Sequence, residues 1–212
     1  MKNILMSIRP QWVAKILNGE KTIEVRKKFP KDYVGWVYIY CTKDRNKTLS
    51  YQVIPHDRKV IKGYNGFNDK DFDFQFIYLT KIDINNGWGW FAREHNLNGK
   101  VIARFWCDKV EEINFHVSYN EDIRGYRLNN IYSTEKDLLK KSCLTQHELY
   151  SYLPRISPCG YAIHITKLEI FDKPMCLNSF YYARNPRKDL GLPKSWKQIV
   201  TRPPQSYMFI EV

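Results

Sequence analysis

The chain contains no C-x-x-C pair, no H-x-x-x-H spacing and no acid cluster beside its histidines, so the usual signatures of chelated zinc and thiol exchange are missing. Its five cysteines, at 41, 107, 143, 159 and 176, are odd in number and widely spaced, which favours reduced core residues over a disulfide framework. The five histidines, at 56, 95, 116, 147 and 164, are equally scattered, and neither a metal nor another cofactor is expected. There is no apolar run of about 18 residues, the length a membrane-spanning helix needs. The opening MKNILMSIRP is interrupted by Arg9 and Pro10, too soon for a secretory signal, so a cytoplasmic protein without a membrane partner is expected. No repeat recurs at a fixed period and no tract is of low complexity. Acids are also scarce: 22 Asp and Glu face 34 Lys and Arg, leaving a net charge of +12.

That excess attracts phosphate-bearing polymers, with RNA or another single-stranded nucleic acid as the simplest partner. Hydrophobic residues make up 43% and aromatics 15%, the composition of a globular chain rather than a disordered one. At 212 residues the chain reads as one domain, 1–212, with an elaborated insertion at about 43–99 and a basic extension at about 173–212.

Residues 4–8, ILMSI, read as a strand, and Pro10 stands where a helix tolerates proline, in its first turn. Trp12, Val13, Ile16 and Leu17 form one apolar stripe that stops at Gly19. From Lys21 the period becomes two, with Ile23 and Val25 on one face and Thr22, Glu24 and Arg26 on the other, the pattern of a half-buried strand. WVYIYCT at 36–42 is a further strand. The insertion reads as short strands, with 85–99 as an exposed loop leading into a helical turn. Its tryptophans flanking Gly89 suit either core packing or base stacking. Residues 100–113 carry bulk on both faces, as a strand in the middle of a sheet does. Leucines between 134 and 153 give one or two helices, and Thr145 with Glu148 has capping-box spacing. GYAIHITKLEIF, 160–171, is the strongest strand, and SYMFIEV closes the chain. Trp36, Trp106 and Tyr207 read as core.

The stretch ILNGEKTIEVRKKFP, 16–30, carries six charges, Glu20, Lys21, Glu24, Arg26, Lys27 and Lys28, in one short corner. Two readings apply. In one, Glu24 and Arg26 form a surface ion pair on a half-exposed strand, worth at most about 1 kcal/mol. In the other, Arg26 grips a phosphate or base edge with its planar fork and Glu24 holds that fork. Farther on, Arg184, Arg187 and Lys188 lie among Tyr181, Tyr182 and Pro186, and Lys194 and Lys197 flank Trp196. Cations interleaved with aromatics in this way suit single strands.

S-I-R-P, a short helix, N-G-E-K-T-I-E-V-R, then G-K-V-I-A-R-F and G-Y-A-I-H-I-T-K-L-E resemble the ASCH domain, a branch of the PUA-like superfamily. The likeness spans residues 4–40 and 100–171, and its most specific element is G-x-K-x-x-E-x-R at Gly19, Lys21, Glu24 and Arg26. It implies an α+β fold: a PUA-like small mixed β-barrel of five to six core strands, flanked by short helices, with a cleft beside the first helix. It further implies binding of RNA or of a modified nucleotide in that cleft, where the charged corner offers Lys21, Thr22, Glu24, Arg26, Lys27 and Lys28. Arg184 and Arg187, outside the likeness, are expected to contact a nucleic-acid backbone because of their setting among aromatics.

Members of the family that are enzymes imply an alternative, a hydrolase with Lys21, Glu24 and Glu148 in its site, ribonuclease ahead of N4-acylcytidine amidohydrolase. The amidohydrolase pattern keeps its lysine at Lys21, finds Glu24 where a threonine belongs, and has Glu148 as the nearest match to its glutamate. The nucleophilic hydroxyl is therefore missing unless Thr22 replaces it, and Thr22, on the face of Glu24 but about 6 to 7 Å from it along a strand, would need a backbone change to do so. A lysine base at neutral pH needs roughly 3 to 4 kcal/mol of differential stabilisation. Arg26, Lys27 and Lys28 push that way while Glu20 and Glu24 oppose, so a cationic Lys21 is expected. A third reading is a protein-binding regulator that turns its basic face to an acidic partner.

Overall fold

β1, Asn3–Ile8, sends Ile4, Met6 and Ile8 to one side and Leu5 to the other, as the two-residue period of a strand requires. α1, Pro10–Leu17, follows at once and buries Val13, Ala14, Ile16 and Leu17 on the first of those sides. Gly19, at φ +74°, takes the left-handed conformation that ends a helix and that glycine adopts without strain. The computed structural model describes residues 2–55, 72–80, 83–88, 96–117, 124–128, 134–155, 158–183 and 197–212.

Six strands form the main sheet: β1, β3 (Gly35–Cys41), β6 (Val101–Cys107), β10 (Thr166–Met175), β11 (Tyr181–Tyr182) and β12 (Tyr207–Glu211). Their order is β10-β6-β3-β1-β12-β11. β1 and β3 are parallel, with α1 in the connection between them, and the other neighbours are antiparallel. One core lies under α1, and another, with Leu5, Tyr38, Tyr40, Phe180 and Ile210, covers the opposite face. Burial on both faces accounts for the bulk on both sides of β6, which runs between β10 and β3.

A second sheet has the order β2-β9-β7-β8, from Ile23–Arg26, Gly160–His164, Val110–Val117 and Arg124–Leu128. Helices α2, Glu135–Ser142, and α3, Gln146–Tyr152, pack Leu138 and Leu149 against its Ile23, Val25, Ile113 and Tyr126. Each helix opens with a capping box, Thr134 with Asp137 and Thr145 with Glu148. β4, Lys47–Pro55, and β5, Phe72–Thr80, pair as a hairpin against α1. Asn18 fastens it: its Nδ2 donates to the Phe76 carbonyl at 2.8 Å and its Oδ1 accepts from the Phe76 amide at 2.9 Å. The class is mixed α+β, with strands dominant among the described residues.

Three expectations change. Residues 100–113 and 160–171 are each two strands that pass from one sheet to the other, broken at Asp108 and Lys109 and at Ile165, with Lys167 at φ +44°. Alternation continues through such a crossing, so a pattern of period two does not reveal the change of partner. The strands of the insertion are nine residues each rather than short. The winding at Ile84–Trp88 comes at the start of the expected loop and not after it, and Asn86 and Gly87 within it leave helical angles; the Trp88 side chain and residues 89–95 lie outside the described set.

Gly160 locks the second sheet to the end of α3. A β-carbon there would stand 2.7 Å from the Arg26 carbonyl oxygen and 2.9 Å from Leu153 Cδ2. Gly160→Ala is therefore expected to cost about 1 to 3 kcal/mol through forced backbone movement. A urea midpoint equal to that of the parent would show that β2 gives way freely.

Candidate functional site

The turn between α1 and β2 sets the site. The amides of Glu20 and Lys21 both donate to the Lys15 carbonyl, at 2.9 and 3.0 Å, and the Thr22 amide donates to the Lys141 carbonyl at 2.9 Å. Wedged between the ends of two helices, the Lys21 side chain is only 2% exposed. Its Nζ donates to the Ser142 carbonyl at 2.5 Å, lies 3.3 Å from Glu24 Oε2, and stands 5.4 Å from the Trp12 ring centroid. Ser142 is the last residue of α2, where the helix dipole is negative and suits a cation.

Glu24 is shared. Its Oε1 is 3.0 Å from Arg26 Nε, but that N–H is not aligned on the oxygen, so the contact is an ion pair and not a hydrogen bond. Arg26 Nη2 donates to the Ser7 carbonyl at 2.6 Å. Ser7 in turn donates from its Oγ to the Pro204 carbonyl, 2.7 Å, and from its amide to the Ser206 carbonyl, 3.0 Å. A buried row of cation, anion, cation therefore runs from the end of α2 to the segment before β12.

These side chains open onto one hollow of about 620 Å³. Lys21, Glu24 and Arg26 line it together with Arg9 and Trp12 from the start of α1 and Tyr152 from the end of α3. Burial lowers the proton affinity of Lys21; Glu24 opposes that effect, and Arg26 adds a smaller push in the same direction.

Of the residues singled out from the sequence, Lys21, Glu24 and Arg26 come together. The surface-pair reading of Glu24 and Arg26 is overturned, because Glu24 is 6% exposed and β2 is buried along its length apart from Arg26, which is partly covered. Thr22 is exposed, does not line the hollow and spends its backbone on Lys141 and Ile165. Lys27 and Lys28 are exposed and also stand outside the lining. Neither of those lysines shifts Lys21; burial does, and a one-dimensional charge pattern cannot show burial. Glu148 lines the hollow, but its Oε2 accepts from the amide and the hydroxyl of Thr145, each at 2.9 Å, so its carboxylate caps α3. Arg184 and Arg187, with Lys188, Lys194 and Trp196, lie outside the described residues.

A scan against protein-family models and a search of curated proteins both return no match. The site's own geometry therefore carries the functional reading.

Sequence reasoning missed Tyr152, which is 38% exposed, and saw Trp12 only as part of an apolar stripe. A signal existed for the former: His147, Glu148, Ser151 and Tyr152 share one helical face, and all four line the hollow. Gln205 and Ser206 also line it, and no local pattern ties them to residues 180 or more positions away. Trp36 and Trp106 form a T-shaped pair at 5.4 Å in the main sheet, and Tyr207 packs on Phe29 at 5.2 Å, all away from the hollow.

Cys41, Cys107 and Cys159 are buried, Cys143 is partly covered and Cys176 is exposed, which corrects the expectation for the last two. Burial pushes the Cys41 and Cys107 thiols up to about 12, so neither is a thiolate nucleophile. Among the described residues no three His, Cys, Asp or Glu side chains gather as metal ligands, and no helix is long and apolar enough to cross a membrane.

Proposed function

We propose that the hollow beside α1 binds RNA, or a single modified nucleotide, with the two larger sheets acting as the halves of a PUA-like barrel of the ASCH type. One observation carries this reading: three charged side chains are withdrawn from water, yet all face the same open space. Burying charge is costly, and a net positive triad gains when an anionic ligand arrives. The volume, about 620 Å³, is in the range of small-ligand sites. Trp12 and Tyr152 supply aromatic surface for a base, Arg26 supplies a fork for phosphate or base edge, and the net charge of +12 draws the polymer in.

Fluorescence anisotropy with a labelled single-stranded RNA, measured across a salt series, tests it. The log of affinity is expected to fall against log salt by about 0.7 for each phosphate contacted. Arg26→Ala is expected to weaken binding about ten- to a hundredfold, the loss of a hydrogen bond to a charged group. Affinity independent of salt would remove the RNA version, and no binding of RNA or nucleotide at low salt would remove this function from consideration.

The placing of the Lys21 Nζ, held by Glu24 and the Ser142 carbonyl at the wall of the hollow, favours hydrolase chemistry as a second reading. Ribonuclease precedes amidohydrolase within it, because an ammonium held by Glu24 and Ser142 suits stabilisation of developing negative charge better than proton removal. Incubation with labelled RNA and with acylated cytidine separates the two, and turnover that survives Lys21→Ala excludes this site as its source.

A further inference from the structure

The aromatic walls of the hollow are already engaged by cations. Lys21 Nζ stands 5.4 Å from the ring centroid of Trp12, and Lys27 Nζ stands 5.1 Å from that of Tyr152. Both rings line the hollow, whereas Lys27 does not; it approaches Tyr152 from beside the cavity. The negative face of an aromatic ring is what attracts a cationic ligand. A ring that already holds an ammonium has lost much of that attraction, and a second cation stacked on it meets like charge across the ring.

The carboxylates do not restore it. Glu24 is flanked by Lys21 and Arg26, and Glu148 is turned to the amide and hydroxyl of Thr145. Arg9 adds another positive group to the lining. An aromatic cage for a quaternary or methylated cation needs rings free of other cations and uncommitted acids; here each ring already carries an ammonium on one face, leaving the other for a neutral base, and the acids are spoken for.

We propose that the hollow accepts a neutral planar base and rejects a cationic one, with Lys27, through the Tyr152 ring, as a determinant of that choice. The inference rests on the nucleotide reading above and narrows it: a modification recognised here leaves the base uncharged. Acylation of an exocyclic amine and methylation of an exocyclic nitrogen qualify, whereas ring-nitrogen methylation that fixes a positive charge does not. Lys27 is thereby a specificity residue although it lies outside the lining.

The test is a titration of the full chain, followed by tryptophan fluorescence, with three nucleotides. Adenosine 5′-monophosphate is the reference, 1-methyladenosine 5′-monophosphate carries a cationic base at neutral pH, and N6-methyladenosine 5′-monophosphate adds the same methyl without the charge. The cationic nucleotide is expected to bind about tenfold more weakly than the N6-methyl one, the factor that about 1.4 kcal/mol represents. Lys27→Gln is expected to shrink that ratio to about two- or threefold, and Lys27→Arg to restore it, as a like charge in the same place should. Lys27 is exposed, so neither substitution threatens folding. Equal or tighter binding of the cationic nucleotide overturns the inference while leaving the nucleotide reading intact. A ratio unchanged in Lys27→Gln removes Lys27 from it. Failure of all three nucleotides and of RNA to bind overturns the nucleotide reading, and this inference with it.

Discussion

Glu24→Gln is expected to destabilise the protein by about 3 to 5 kcal/mol, the cost of leaving buried charge without its partner. For a chain of this length that corresponds to a drop of roughly 6 to 20 °C in melting temperature. The size comes from position: Glu24, 6% exposed, is the sole acid between Lys21 and Arg26 in the row described above. Glutamine keeps the shape and removes the charge, so the two cations face each other across a neutral amide.

The loss should depend on pH, with a definite sign. Burial lowers the proton affinity of Lys21 in the folded chain, and removing Glu24 takes away the main influence that raises it. Between the folded and unfolded proton affinities of Lys21 the unfolded chain holds more protons, so stability rises with pH there. The deficit of Glu24→Gln is accordingly largest near neutrality and shrinks as pH climbs toward the ordinary lysine range. Replacing all three residues with methionine should cost less than the single change, since no unpaired charge remains. Chemical denaturation of the three proteins at two pH values checks this; a single change that is neutral at pH 7 would show that water reaches the triad.

Tyr152→Ala should have the opposite profile. The ring is 38% exposed and ends α3, so truncation is expected to alter stability by no more than about 0.5 kcal/mol. Affinity for single-stranded RNA should fall by roughly 5- to 150-fold, the range for losing one stacked base. Tyr152→Phe keeps the ring and should keep most of the affinity. Parent-like binding by Tyr152→Ala would place the base elsewhere in the hollow. Taken as a pair, Glu24 and Tyr152 separate what holds the site together from what it holds on to: one variant melts early, and the other folds normally but binds poorly.

Much of the fold is legible along the chain because its signals are local. Pro10 and Gly19 bracket α1, Thr145 and Glu148 open α3, alternation marks β2 and β9, and short runs of strand-forming residues mark β1, β3 and β12. The strands that change sheets, at Asp108 and Lys109 and at Ile165, were not legible, since each continues its alternation while its hydrogen-bond partner changes. The charged corner at 16–30 was visible as a concentration of Lys, Glu and Arg, but its reach was overstated: Thr22 and Lys28 face water, and Lys27 acts on Tyr152 from the side.

By itself the sequence determines that Lys21, Glu24 and Arg26 follow a glycine-ended helix at the spacing of a turn and a strand, and that the chain as a whole is strongly basic. Only the tertiary structure decides that these charges are buried, that Ser142 and Ser7, from elements far apart in the chain, supply carbonyls to them, and that Trp12, Tyr152 and the segment before β12 wall a hollow around them. The physical reason is range. Helix ends and strand alternation follow from contacts a few residues apart, whereas burial, which shifts Lys21 and turns an ordinary ion pair into a site, depends on which distant segments the core brings to rest against it.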